Sequence, residues 1–225
     1  MLSPSLSNHL LFFICLWSTT SWCQQKIEKP YACGFPVYDM KAAQANYQTS
    51  SQYFRCQPGE VIASVGASNG YIEVQISLWV DSLQWFLQDI DSVCLFEFPR
   101  VKQHFEKMSG KSISGSFSLI LGNYQETKLP THAFDRILLS NVYHELGDRS
   151  LIMKDIFSKL KPGGVVVIME RMGSRRGQRH KDCGHQKLFE PDFIREMEAF
   201  SFRLLKKEAN PQFPHLQFFT FEAIH

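Results

Sequence analysis

Short apolar runs recur along most of this chain, separated by longer stretches in which apolar residues return every three to four positions. The runs are Val61–Val65, Val93–Phe96, Phe117–Leu121, Phe134–Leu139 and Val165–Met169. Continuous runs of this kind suit strands buried on both faces, as in a parallel sheet. Between them, Tyr71–Gln88, Pro99–Met108 and Asp148–Leu160 carry helical spacing, seen at Leu151, Ile152, Ile156 and Leu160. One more helix is expected near Pro191–Phe200. The last two apolar segments, Phe202–Glu208 and Leu216–Ala223, are joined through Asn210-Pro211 and Pro214 and read as a β-hairpin closing a sheet edge. Upstream, a polar lead-in over residues 26–58 holds a helical stretch from about Tyr38 to Tyr53, and Pro58-Gly59 ends it as a turn. Together these predict an α/β fold: a doubly wound, mostly parallel, Rossmann-like sheet of about seven strands with an antiparallel C-terminal hairpin.

The first charged side chain is Lys26, and before it lies the apolar stretch Leu10–Trp17, then the small polar residues Ser18–Ser21. That stretch is far short of the roughly 20 residues a membrane span needs, and it resembles the apolar region of a signal peptide. The expected layout is a leader over 1–25, the lead-in over 26–58, and one domain over 59–225. Export, or anchoring through the leader, is expected, with no transmembrane helix in the mature chain. The alternative is a cytoplasmic protein whose N-terminus is a buried helix or a disordered leader. Basic side chains number 24 and acidic ones 22, for a net charge of +2, which argues against a nucleic-acid binder held by a basic face. The six cysteines form no CxxC pair, excluding a zinc ribbon or a thioredoxin-type motif. Cys94 falls in an apolar run and is expected in the core, while Cys33 and Cys56 can pair if the chain is exported.

The first expected strand runs into Gly66-Ala67-Ser68-Asn69-Gly70, where glycines allow a sharp turn and a close ligand approach. A G-x-G-x-x-G dinucleotide fingerprint fails, because 68 is Ser and 71 is Tyr, and no Gly-Lys-Ser/Thr follows for a phosphate loop. Two of the three glycines of a G-x-G-x-G turn are present. Glu97 stands after the next expected strand, where a carboxylate can accept both ribose hydroxyls. Asn123 follows the third, as an adenine-edge partner or an ordinary turn residue. Then come FDRILLSNVYHEL (134–146) and, before the next strand, Leu160-Lys161-Pro162-Gly163-Gly164.

With VGASNG, FDRILLSNVYHEL and LKPGGVVVIMER in this order, the chain resembles the class I S-adenosylmethionine-dependent methyltransferases over roughly residues 58–224. The resemblance implies S-adenosyl-L-methionine as cofactor. Gly66, Ala67, Ser68, Asn69 and Gly70 would cradle its methionine part and ribose, Glu97 would hold the ribose, and Asn123 with Tyr124 would border the adenine. Ser64, Phe98 and Asn141 are further expected cofactor positions. Ser64 stands where the family often has an acid, Ser68 replaces the middle glycine, and the segment between Gly70 and Glu97 is long for the family. His144 sits just past the fourth strand, and in some small-molecule O-methyltransferases a matching His takes the acceptor's proton. Packing against Tyr143 or Leu146 is its alternative. Residues Arg171–His185 form a basic, glycine-containing segment, read as a loop closing over an acceptor or as a solvated loop. Its His180-x-x-Cys183-x-His185 has metal-ligand residue types but no fourth ligand nearby, so no metal is expected. The expected function is methyl transfer to a small molecule, with a non-catalytic α/β domain as the alternative.

Overall fold

The computed structural model describes Cys33, residues 39–210 and residues 213–224. The expected leader lies outside the described residues. In chain order the elements are α1 (Met40–Phe54), β1 (Val61–Val65), α2 (Tyr71–Ser77), β2 (Gln84–Asp89), α3 (Ser92–Leu95), α4 (Phe98–Ser109), β3 (Ser116–Leu121), β4 (Phe134–Ser140), a single 3-10 turn (Tyr143–Glu145), α5 (Arg149–Lys159), β5 (Leu160–Arg171), α6 (Glu190–Ala199), β6 (Phe202–Ala209) and β7 (Leu216–Ala223). One seven-stranded sheet has the order β3-β2-β1-β4-β5-β7-β6. Strands β1 to β5 are parallel, and β7 runs antiparallel to both β5 and β6. This is the doubly wound, Rossmann-like sheet with a C-terminal hairpin that the apolar pattern implies.

Successive side chains of a strand face opposite ways, and here both faces are covered. Ile62, Leu138 and Val167 join Phe54 of α1, Ile76 of α2 and Phe105 of α4 on one face. Ala63, Ile137, Leu139, Val166 and Ile168 join Ile156 of α5 and Phe193 of α6 on the other. Helix ends follow local chemistry. Pro99 sits in the first turn of α4, and Gly110 closes that helix at φ 68°. Asp148 caps α5 by accepting from the Leu151 amide at 3.0 Å. Among the described residues, no helix is long and apolar enough to cross a membrane.

Two expected elements are corrected. Val93–Phe96 is not a strand: Asp91 accepts from the amides of Val93 and Cys94 and starts the one-turn α3, leaving Val93 69% and Phe96 58% exposed. The second strand lies earlier, at Gln84–Asp89, inside what reads as one long helix over 71–88. Trp85 and Leu87 are fully buried there, and Trp85 donates its indole N–H to Ser77 Oγ at 2.9 Å, docking β2 on α2. Cysteine pairing is corrected as well. Cys94 is no core residue: it is bonded to Cys33, with Cα atoms 5.5 Å apart. Cys56 is a buried free thiol, and burial pushes its pKa up to about 12.

Candidate active site

From β1 the chain winds outward through β2 to β3, then crosses back to place β4 on the other side of β1. Ligands of open α/β sheets bind at such a switch point, beyond the carboxyl ends of the strands. A cleft of about 620 Å³ opens there, within the size range of small-molecule sites. One wall comes from Val65, Gly66 and Ser68 after β1, with Asp89 and Asp91 after β2. Asn123, Tyr124 and Thr127 follow β3, while Ser140, Asn141 and Val142 follow β4. Glu145 and His185 line the cleft as well.

Backbone conformation at this rim is specialised. Gly66 has φ 72°, and a Cβ there would collide with the Val142 side chain. Ser68 is also left-handed, at φ 53°, and its amide donates to Asp89 Oδ2 at 2.7 Å. The other oxygen of Asp89 accepts from the Asp91 amide at 2.9 Å. Asn141 is left-handed too (φ 57°), held by its amide on Met169 O at 2.7 Å. Asn141 Oδ1 and Ser140 Oγ are buried without a hydrogen-bond partner among the described residues. A buried polar atom without a partner is costly, so both residues carry an unsatisfied atom beside the cleft they line.

Comparison with known proteins bears on what this cleft serves. Residues 82–168 match the family model of a methyltransferase domain. A solved S-adenosylmethionine-dependent methyltransferase from Aquifex aeolicus superposes with a TM-score of 0.64 at 13% identity, covering 79% of this chain and 89% of that one. A phosphoethanolamine N-methyltransferase 2 from Haemonchus contortus, solved with S-adenosyl-L-methionine, gives a TM-score of 0.61 at 13% identity over 81% of this chain and 53% of that one. A curated hybrid PKS-NRPs synthetase of Penicillium oxalicum is 27% identical over 143 residues. That match takes in 63% of this chain, and the chain spans 3% of the length of that relative. The chain has the fold of the class I methyltransferases, and its residues 82–168 are similar to their methyltransferase domain.

Within this fold, several expected cofactor residues stand elsewhere than the sequence implies. Glu97 does not close a strand. It precedes α4, its carboxylate meets Arg100 Nη1 at 3.0 Å, and it is absent from the cleft wall. Phe98 is buried against Phe117. Ser64 faces the core, donating to Glu73 Oε1 at 2.5 Å, and burial raises the Glu73 carboxyl to about 7. Ala67 and Asn69 are buried beside the turn, and a Cβ at Gly70 would come within 2.7 Å of Leu87 and Phe98. Asn123 does line the cleft, but its Oδ1 accepts from the amides of Gln125 and Glu126 and shapes its own turn. Of the expected positions, the structure thus brings Gly66, Ser68, Asn123, Tyr124 and Asn141 to the cleft. Asp89, at the end of β2, also lines the cleft, and the apolar pattern of the sequence does not single it out.

His144 is corrected in a different way. Its side chain is 1% exposed, one layer behind the cleft wall. Nδ1 lies 2.9 and 3.0 Å from the two oxygens of buried Glu170, and the His144 amide donates to Glu170 Oε1 at 3.1 Å. Nε2 faces Cys183 Sγ at 3.5 Å. Burial works against the imidazolium here, but the Glu170 carboxylate outweighs it and the pKa rises. Neither nitrogen is presented to the cleft, so the expected role as a proton acceptor for a bound substrate does not fit this geometry. Among the titratable side chains near His144, Glu145 and His185 do line the cleft.

Proposed function

We propose that the domain binds S-adenosyl-L-methionine in the cleft at the β1/β4 switch point and transfers its methyl group to a small molecule. The observation that carries this reading is Asp89, a carboxylate at the carboxyl end of β2 facing a glycine turn that no side chain can fill. Asp89 is suited to accept the ribose hydroxyls. Gly66 and Ser68 leave room for the methionine part, and the unsatisfied Asn141 Oδ1 and Ser140 Oγ offer it polar partners. Asn123 and Tyr124 border the adenine side. The cofactor supplies a methyl carbon on a sulfonium, and the protein's work is to align a nucleophile with it and keep water out. The Cys33–Cys94 disulfide supports placing the protein in an oxidising compartment, in keeping with export. A second reading, a domain that keeps the fold without turnover, is favoured by Ser64, which turns into the core where the family often has an acid.

Calorimetry on the full chain with S-adenosylmethionine and with S-adenosylhomocysteine tests the binding. Asp89→Asn should weaken it by about 1 to 3 kcal/mol, the scale of a lost charge-assisted hydrogen bond. Glu97→Gln should leave it unchanged. No heat with either ligand, or equal damage from both variants, would overturn the assignment. Binding without product, across a screen of hydroxyl, amine and thiol acceptors with methyl-labelled cofactor, would favour the second reading.

A further inference from the structure

His144 is more than 30 residues from His180 and Cys183 in sequence, yet the ligand-type atoms of all three lie within 4.8 Å of one another. His144 comes from the 3-10 turn after β4, and the other two from the loop between β5 and α6. That loop is ordered by its own backbone: the His180 amide donates to His185 O at 2.8 Å, and Gly184 N to His180 O at 3.2 Å. We propose that these three side chains bind a zinc ion through His144 Nε2, His180 Nε2 and the Cys183 thiolate, with the Glu145 carboxylate as fourth ligand on the cleft side. This does not rest on the methyltransferase reading.

Four observations converge on it. His180 Nε2 is buried and has no hydrogen-bond partner among the described residues, and the residue is only 6% exposed. Glu170 grips Nδ1 of His144 and thereby aims Nε2 at the cluster, the carboxylate–histidine arrangement that orients metal ligands. The spacing also fits. A tetrahedral zinc with ligands at its usual distances has edges of about 3.4 Å between nitrogen and oxygen and about 3.6 Å between nitrogen and sulfur. His144 Nε2 lies 3.4 Å from Glu145 Oε1 and 3.5 Å from Cys183 Sγ. Finally, two imidazoles, a thiolate and a carboxylate form a donor set of borderline softness, and the two anions balance the charge of a divalent ion. The His144 and His180 rings stack at 4.1 Å between centroids, with planes 19° apart. Near-parallel rings cannot both direct a lone pair to one point, so the His180 ring turns about its Cβ–Cγ bond when the ion enters, and the stack is given up. The Cys183 proton leaves to solvent.

The test uses untagged full-length protein stripped with a chelator, then loaded with zinc and separately with cobalt(II). Elemental analysis after gel filtration should find about one zinc per chain, and the cobalt form should show the thiolate-to-metal absorption and the visible bands of a tetrahedral site. Cys183→Ser should abolish the thiolate band. His180→Gln and Glu170→Gln should each lower zinc affinity at least about tenfold, the effect expected of a lost ligand or orienting partner. Bound zinc should also slow alkylation of Cys183 by iodoacetamide, a readout that needs no variant. A stripped protein that takes up no zinc would overturn the site. So would stoichiometric zinc indifferent to Cys183→Ser, or a Cys183 that alkylates equally fast with and without the metal.

Discussion

Glu73 shows how one side chain can couple this fold to pH. It is fully enclosed, its Oε1 takes the Ser64 hydroxyl, and its Oε2 has no hydrogen-bond partner among the described residues. Burial raises its pKa from the ordinary 4.5 to about 7, so folding holds a proton that the unfolded chain would release. The stability tied to that proton is complete below about pH 4.5 and is lost as pH rises towards 7. The loss is on the order of 3 kcal/mol by pH 8, because holding a proton across one pH unit is worth about 1.4 kcal/mol. Glu73→Gln keeps an uncharged acceptor for Ser64, so its urea midpoint should fall less than wild type's between pH 5 and pH 8. Parallel midpoint curves for the two proteins would show that the carboxyl titrates normally. Ser64 and Glu73 also explain why a departure from the family pattern is tolerated on β1: the serine satisfies a carboxylic acid arriving from α2 instead of reaching for ligand.

Secondary elements are legible wherever apolar residues run without interruption. Strands β1, β3, β4 and β5, helices α4, α5 and α6, and the β6–β7 hairpin all lie where periodicity and punctuation put them, within a few residues for most and with β5 longer at both ends. Strand β2 is hidden because only Trp85, Phe86 and Leu87 are apolar in it, with Gln84, Gln88 and Asp89 around them. Val93–Phe96 resembles a strand because four apolar residues in a row carry no period, and only the Asp91 cap reveals a helical turn. The misplaced strand carries its candidate acid with it: the apolar pattern points to Glu97, eight residues beyond Asp89, the carboxylate that closes β2 and lines the cleft. Truncations can check the reassignment. Trp85→Ala should cost about 3 to 5 kcal/mol, as for a buried aromatic, while Val93→Ala should change stability by less than about 0.5 kcal/mol. Chemical denaturation showing the reverse order would return the strand to Val93–Phe96. The His144 cluster is half legible: the sequence shows His180 and Cys183 as ligand types, but they and Glu170 meet His144 only through the packing of β5 and the loop beyond it.

At the scale of the whole molecule, the described chain is one sheet with a tether. The Cys33–Cys94 bond closes a sequence separation of 61 residues across α1, β1, α2 and β2. Cross-linking a loop of that size stabilises a fold by about 2 to 4 kcal/mol, mainly by limiting the unfolded chain. Thermal unfolding of a Cys33→Ser/Cys94→Ser double variant should therefore begin about 5 to 15 °C lower, and an unchanged midpoint would show that the tether adds nothing. The tether also reaches function, because Cys94 is itself part of the cleft wall. Any ligand whose affinity differs between the bonded and the reduced protein must, by reciprocity, shift the equilibrium of that bond by the same factor. Occupancy of the cleft and the redox poise of the surroundings are then two readings of a single linked equilibrium. A ligand preferring the bonded form would appear as resistance of Cys33–Cys94 to dithiothreitol.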